Sequence, residues 1–290
     1  MRRDLIAAIC ISVFLLYSSC NSDFVGANAE PITAILGACD EEVLPVKEQL
    51  AAKHQQRIEG IRFFTGTLKG RKMVLACTGT GKVNAAMTTT LLLEHFRPRE
   101  VIFTGVAGGI DPQLLPGDIV IAEKTAQHDL GTLTPEGLRN EGARSPVDGI
   151  RNPVLFPADR RLLKLAELAA KQVKLEKIKI ETEHRPPKII KGVVVTGDIF
   201  ASSTTKCAEL RNTLGADAVE MEGAAVAQIC HQQAVPHLVI RGISDRAGDQ
   251  ALNDFYEFRR IAAENSATLA IRIVELLSSE LPIEKTAKTR

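Results

Sequence analysis

Three short stretches of this 290-residue chain place carboxylates where an apolar run gives out: Gly37-Ala38-Cys39-Asp40-Glu41-Glu42, Val219-Glu220-Met221-Glu222-Gly223 and Arg241-Gly242-Ile243-Ser244-Asp245. A carboxylate at the end of a buried strand either carries the cost of a buried charge, tolerable only when paired, or serves a ligand. Glu220 and Glu222 alone would equally suit the first turn of a helix, where the dipole favours acids. The recurrence of the pattern favours a ligand site. Two further strand ends join it: the glycines of Gly105-Val106-Ala107-Gly108-Gly109, which let backbone approach a ligand closely, and the aromatic Phe200 after Thr196-Gly197-Asp198.

Two common phosphate chemistries are excluded by spacing. Thr78-Gly79-Thr80-Gly81-Lys82-Val83 lacks the Walker glycine where Ala76 stands and the Walker hydroxyl where Val83 stands. The glycines after Thr104 do not meet G-x-G-x-x-G, and no helix follows them directly.

Such side chains need elements that position them. Residues 32–38 read as a buried strand, followed by a helix that Asp40 would cap and in which Pro45 is tolerable only near the start. Residues 61–68 and 72–77 read as a hairpin, residues 83–96 as a helix halted by Pro98, and residues 100–104 and 119–122 as strands. Residues 158–173 have helical spacing, 192–196 and 237–243 are apolar strands, a short helix lies near 206–212, and 261–277 closes the chain as a long helix. Residues 128–156 are polar, glycine-rich and broken by prolines, which suggests a lid, a subunit contact or a disordered insertion, with His128-Asp129 as a surface pair at its start. Strands alternating with helices after residue 100 predict an α/β fold with a mixed, mostly parallel central sheet flanked by helices. Ligands in such folds lie beyond the carboxyl ends of strands.

A net charge of +1, no tryptophan and two tyrosines exclude the basic, aromatic surface that nucleic acid requires. Residues 1–29 read as a secretory signal: Arg2 and Arg3, an apolar run from Leu5 to Tyr17, then Ala27-Asn28-Ala29. The expected organisation is a signal over 1–29, a single domain over 30–280 and a polar tail over 281–290. The chain is then exported, periplasmic or secreted, without stable membrane insertion once the signal is cleaved; a lipoprotein anchored at Cys20 is the alternative. Cys39, Cys77, Cys207 and Cys230 form no C-x-x-C pair and no metal-ligand spacing, and are read as buried free thiols.

Taken together, these stretches resemble the purine nucleoside phosphorylase and hydrolase family, most closely its 5′-methylthioadenosine/S-adenosylhomocysteine nucleosidase branch, over most of residues 31–278. The resemblance implies a nucleoside phosphorylase-like fold, a homodimer, a small-molecule nucleoside substrate and no cofactor or metal. It also implies roles: Glu42 as general base for water, Asp245 as the acid protonating purine N7 with Ser244 beside it, and Glu222 holding the ribose hydroxyls. Met221 would pack beneath the sugar and Phe200 stack on the purine, with backbone groups of Ala201 reading its edge. Arg241 would stand near the water. Val106 occupies a position where these nucleosidases often carry a hydroxyl, and the stretch after Asp129, which in the family helps to form the 5′-substituent pocket, departs from its pattern.

Those residue types suit cleavage of an N-glycosidic bond through an oxocarbenium-like transition state. Adenine leaves badly as an anion, so an acid of raised pKa must donate to its ring, while a carboxylate on the other face of the sugar takes a proton from water. Phosphorolysis would need a cationic pocket where Asp40-Glu41-Glu42 stands. Two like charges about 4 Å apart cost roughly 4 kcal/mol at an effective dielectric of 20. Hydrolysis is therefore expected; a phosphate-dependent phosphorylase and a non-catalytic nucleoside-binding or storage protein are the alternatives, and a futalosine-type substrate stays open.

Overall fold

A computed structural model describes residues 30–180, 183–248 and 250–280. The expected signal and polar tail lie outside the described residues. Among the described residues no helix is long and apolar enough to cross a membrane.

The first half of the sheet grows outward from β1 (Ile32–Gly37). After α1 (Asp40–Glu48) the chain runs a three-stranded meander, β2 (Ala51–Ile58), β3 (Ile61–Leu68) and β4 (Arg71–Cys77), with β4 parallel to β1. The expected hairpin is its second and third strands. β2 is its solvent-exposed edge, too polar to show alternation in sequence. Helix α2 (Lys82–Phe96) leads to β5 (Glu100–Gly109), which pairs parallel with β1 on its other side.

β6 (Ile119–Gln127) is followed by a small hairpin, β7 (Gly131–Thr134) and β8 (Gly137–Asn140), and by β9 (Leu155–Pro157), which pairs with β6. The stretch expected to be a lid or insertion is thus partly built into the sheet. Helix α3 (Arg160–Ala170) starts at an Asp159 cap that accepts from the Arg161 and Leu162 amides. A short hairpin, β10 (Ile178–Ile180) with β11 (Glu183–Arg185), precedes β12 (Ile189–Thr196), α4 (Thr204–Leu214), β13 (Ala216–Glu220), α5 (Gly223–Gln232), β14 (His237–Asp245) and α6 (Ala251–Ser279). α6 begins ten residues before the predicted closing helix.

Strand side chains alternate between two apolar layers, as the pleat requires. Ile35, Leu75, Ile102 and Ile240 point to the side covered by α1, α3 and α6, where Val46, Leu162, Leu165, Leu269 and Ile273 meet them. Leu36, Val74, Phe103 and Val239 point to the other side, against Leu92 of α2 and Val226 and Cys230 of α5. Each such fully buried side chain contributes about 1.5–3 kcal/mol of transfer free energy.

Two pairings position the site. β14 runs parallel to β5, so that Asp245 lies beside Gly108. β13 crosses the end of β5 antiparallel, with Ala218 opposite Gly109 and Val219 opposite Gly108. The sheet therefore folds back on itself, and the carboxyl ends of β13 and β14 meet although the strands between them do not all run the same way.

Some local expectations are corrected. α1 is preceded by Cys39 as cap, with no side-chain bond, and Asp40, Glu41 and Glu42 fill its first turn; Pro45 lies inside the helix. The four cysteines of the described residues are free, but Cys39 is exposed and Cys77 half-buried, while Cys207 and Cys230 are buried. The Cys77 thiol donates to Asp40 Oδ1 at 3.3 Å, a polar partner that a fully apolar strand end would not offer.

Candidate active site

One cavity of about 340 Å³ opens where β1, β5, β13 and β14 end. Glu42, Val106, Phe200, Ala201, Met221, Glu222, Ser244 and Asp245 all line it. Arg241, the remaining residue expected there, does not. It is fully buried in β14, over the Phe103 ring and bonded to Glu220.

Glu42 projects from the first turn of α1 back over β1 and β5. Its Oε1 accepts from the Val106 amide at 2.9 Å, and its Oε2 from the Ala38 amide. Burial raises its carboxyl above the ordinary range, opposed by the nearby Arg241 charge and by these backbone donors. Gly105 makes room for this arrangement: a Cβ there would lie 2.6 Å from Glu42 Oε1 and 2.8 Å from Arg241 Nη1. Arg241 thus stands behind the Glu42 carboxylate, shielded from the cavity.

Glu220, the last residue of β13, and Glu222, which precedes α5, have different partners. Glu220 Oε2 accepts from Arg241 Nη2 at 2.6 Å and Nε at 3.2 Å, and from the Glu222 and Gly223 amides at 3.1 and 2.7 Å; its Oε1 accepts from the Thr196 hydroxyl. Glu222 forms no ion pair among the described residues. Its Oε1 accepts from the Gly81 amide at 2.8 Å. Burial, reinforced by the Glu220 charge, raises the Glu222 carboxyl well above the ordinary range. Gly81 adopts φ +93°, a conformation that favours glycine, and this turns its N–H toward Glu222 at the start of α2.

At the end of β14 Asp245 Oδ1 accepts from the Ala247 amide at 2.8 Å, and Oδ2 from the Ser244 hydroxyl at 2.9 Å. Burial raises its pKa despite these donors. The single Ser244 hydrogen has a second acceptor, the Ala107 carbonyl at 3.3 Å. Asp245 can therefore hold its own proton and leave the hydroxyl satisfied.

Phe200 is carried by the loop after β12, which is tied down from several sides. The Lys82 amide donates to Asp198 Oδ1 at 2.7 Å, the Asp198 amide to Asp129 Oδ2 at 3.0 Å, and Lys82 Nζ to Asp129 Oδ1 at 2.5 Å. His128 packs so closely on Gly197 that a Cβ there would lie 2.3 Å from its Nε2. His128 and Asp129 are therefore half-buried struts of this loop, a correction to the expected surface pair.

Sequence reasoning missed Thr80, Ile199, Phe255 and Arg259, which also line the cavity. Phe255 meets Phe200 edge-on at 5.7 Å between ring centres. Its signal was the helical spacing of Leu252, Phe255 and Arg259 upstream of residue 261, with no glycine or proline between them. Among the described residues no group of three or more His, Cys, Asp or Glu is placed to hold a metal ion.

An α/β sheet that folds back on itself and brings Glu42, Glu222 and Asp245 from three separate strand ends to one cavity suits a nucleoside-cleaving enzyme. The chain belongs to the phosphorylase superfamily, whose family model matches residues 32–275, and within it to the 5′-methylthioadenosine/S-adenosylhomocysteine nucleosidases. It is 40% identical to the nucleosidase of that name from Anoxybacillus flavithermus over 249 residues, 86% of this chain and 98% of the relative. The solved Neisseria meningitidis nucleosidase in complex with methylthio-immucillin-A superposes with a TM-score of 0.72 at 33% identity, covering 84% of this chain and 99% of that one. The futalosine hydrolase of Helicobacter pylori, at 28% identity and a TM-score of 0.72, covers 85% and 98%.

Proposed function

We propose that the chain hydrolyses the N-glycosidic bond of adenosine-type nucleosides bearing a 5′-thioether, such as methylthioadenosine and S-adenosylhomocysteine, to free purine and the ribose derivative. The observation that carries this reading is the placement of two carboxyls of raised pKa, Glu42 and Asp245, in one cavity that Glu222 also lines. Water attacks C1′ and gives its proton to Glu42, while the C1′–N9 bond breaks and Asp245 delivers a proton to purine N7. Glu222 accepts from the ribose hydroxyls, Met221 packs beneath the sugar and Phe200 stacks on the base, with the Ala201 backbone at its edge. Val106 holds Glu42 through its amide in place of a side-chain hydroxyl.

Phosphate is disfavoured as nucleophile because the Glu42 carboxylate would repel it, and the one cation of the described lining, Arg259, is paired with Glu41. A substrate panel tests the reading: base release from methylthioadenosine, S-adenosylhomocysteine, adenosine and inosine in phosphate-free buffer. Binding without turnover would favour a storage protein, and strict phosphate dependence a phosphorylase.

The same reading has the chain exported through residues 1–29 and acting as a homodimer. Fractionation of the native host, with N-terminal sequencing expected to begin near Glu30, and sedimentation of the mature protein test these two points.

A further inference from the structure

We infer that Glu41 and Arg259 form an outer subsite for the zwitterionic amino-acid end of a 5′-thioether substituent, an inference that rests on the nucleosidase reading above. Among the described residues lining the cavity Arg259 is the sole cation. It also lines a second groove between α1 and α6, together with Glu41, Leu44 and Tyr256. Arg259 therefore stands where the cavity passes into the groove. Its Nη2 lies 3.2 Å from Glu41 Oε1, and the two side chains are 40% and 48% exposed.

The position of this pair along a bound nucleoside follows from the aromatic contacts. Phe200, the expected purine platform, is 5.7 Å from Phe255, and Phe255 is 5.7 Å from the Arg259 guanidinium carbon. Phe255 and Arg259 are one helical turn apart on α6 and share a face. A line from base platform to guanidinium thus leads out of the cavity toward solvent, the direction a 5′-substituent must take once base and ribose hydroxyls are held inside. A methylthio group ends short of the pair and offers it no charge. An α-amino acid carried several bonds further out offers a carboxylate to the guanidinium fork and an ammonium to Glu41. The protein's own ion pair is exposed and weak, so it can open to admit this exchange at little cost.

The test is steady-state kcat/KM for S-adenosylhomocysteine and for methylthioadenosine, compared as a ratio in the wild type, Arg259→Leu and Glu41→Gln. Taking the ratio cancels general disturbance of the neighbouring Glu42. Each variant should lower the ratio about threefold to fivefold, in keeping with the strength of exposed charge pairs. The wild-type ratio should also fall as salt rises from roughly 20 to 500 mM, which shortens the Debye length from about 20 to about 4 Å. An unchanged ratio in either variant, or a wild-type ratio indifferent to salt, overturns the subsite. Turnover of neither compound by the wild type would instead sink the nucleosidase reading, and the subsite with it.

Discussion

Arg241 donates from both Nε and Nη2 to a single oxygen of Glu220, at 3.2 and 2.6 Å, and makes no hydrogen bond to Glu222. Two glutamates separated by a single residue, Met221, are thereby given separate tasks. Glu220 neutralises a buried guanidinium and anchors the start of α5 through the Glu222 and Gly223 amides. Glu222 faces the cavity with a backbone donor and no salt bridge.

The two should respond differently to amide substitution. Glu220→Gln leaves Arg241 buried without its counter-charge and is expected to cost about 3–5 kcal/mol in urea denaturation. Glu222→Gln keeps an acceptor for the Gly81 amide. The folded-state pKa of Glu222 is raised, so its ionisation opposes folding: that carboxyl's contribution is most favourable at low pH and is lost as pH rises through the raised value. Glu222→Gln should therefore be more stable than the wild type at pH 8 by about 1 kcal/mol or more, with the gain shrinking toward pH 5, while turnover falls.

The rate should depend on pH through Glu42 and Asp245. Glu42 works deprotonated and fails as pH falls through its pKa; Asp245 works protonated and fails as pH rises through its own. Burial lifts both, so both limbs of the kcat/KM profile should lie above the ordinary carboxyl range. Asp245→Asn should lower kcat/KM by roughly 10²–10⁴ and remove the alkaline limb. An alkaline limb that persists in that variant would assign the acid elsewhere.

Gly105→Ala tests the crowding behind Glu42. Its Cβ would press on both Glu42 Oε1 and Arg241 Nη1, so the carboxylate must shift. A displacement near 1 Å is expected to cost about 10²-fold in kcat. Unaltered kinetics with a folded variant would show that the position of Glu42 is not critical.

A remote control comes from the opposite end of β5. Buried Glu100 accepts from Thr33, Arg71 and Arg161, at 2.5, 2.6 and 3.2 Å. Glu100→Gln strands the buried Arg71 and should cost about 3–5 kcal/mol of stability. The fraction that remains folded at low temperature should keep the wild-type kcat, because the change lies at the far end of the strand from the cavity.

Much of this arrangement is legible in the sequence, for identifiable reasons. The apolar strands and the amphipathic α3 announce themselves by period, and the glycine turns by composition. β2 does not, because an exposed edge strand of sequence Ala-Ala-Lys-His-Gln-Gln-Arg-Ile has no buried face to alternate with. The hairpin of β7 and β8 is hidden for the same reason: both strands are polar and largely exposed. The cavity lining is read well where it sits at strand ends. It is missed on α6, whose first turns carry Phe255 and Arg259 to the site ahead of residue 261, where the expected helix begins. The division between Glu220 and Glu222 depends on which neighbour reaches Arg241, a matter of sheet register that no local pattern encodes.

The central claim is hydrolysis at this cavity, and it meets its most direct test in one assay. Protein comprising residues 30–290 is incubated with methylthioadenosine in phosphate-free buffer and then with added phosphate, and base and sugar products are quantified. The account predicts stoichiometric adenine and free methylthioribose, at a rate that phosphate does not raise. Adenine release only when phosphate is present, with a sugar 1-phosphate as the second product, would contradict it.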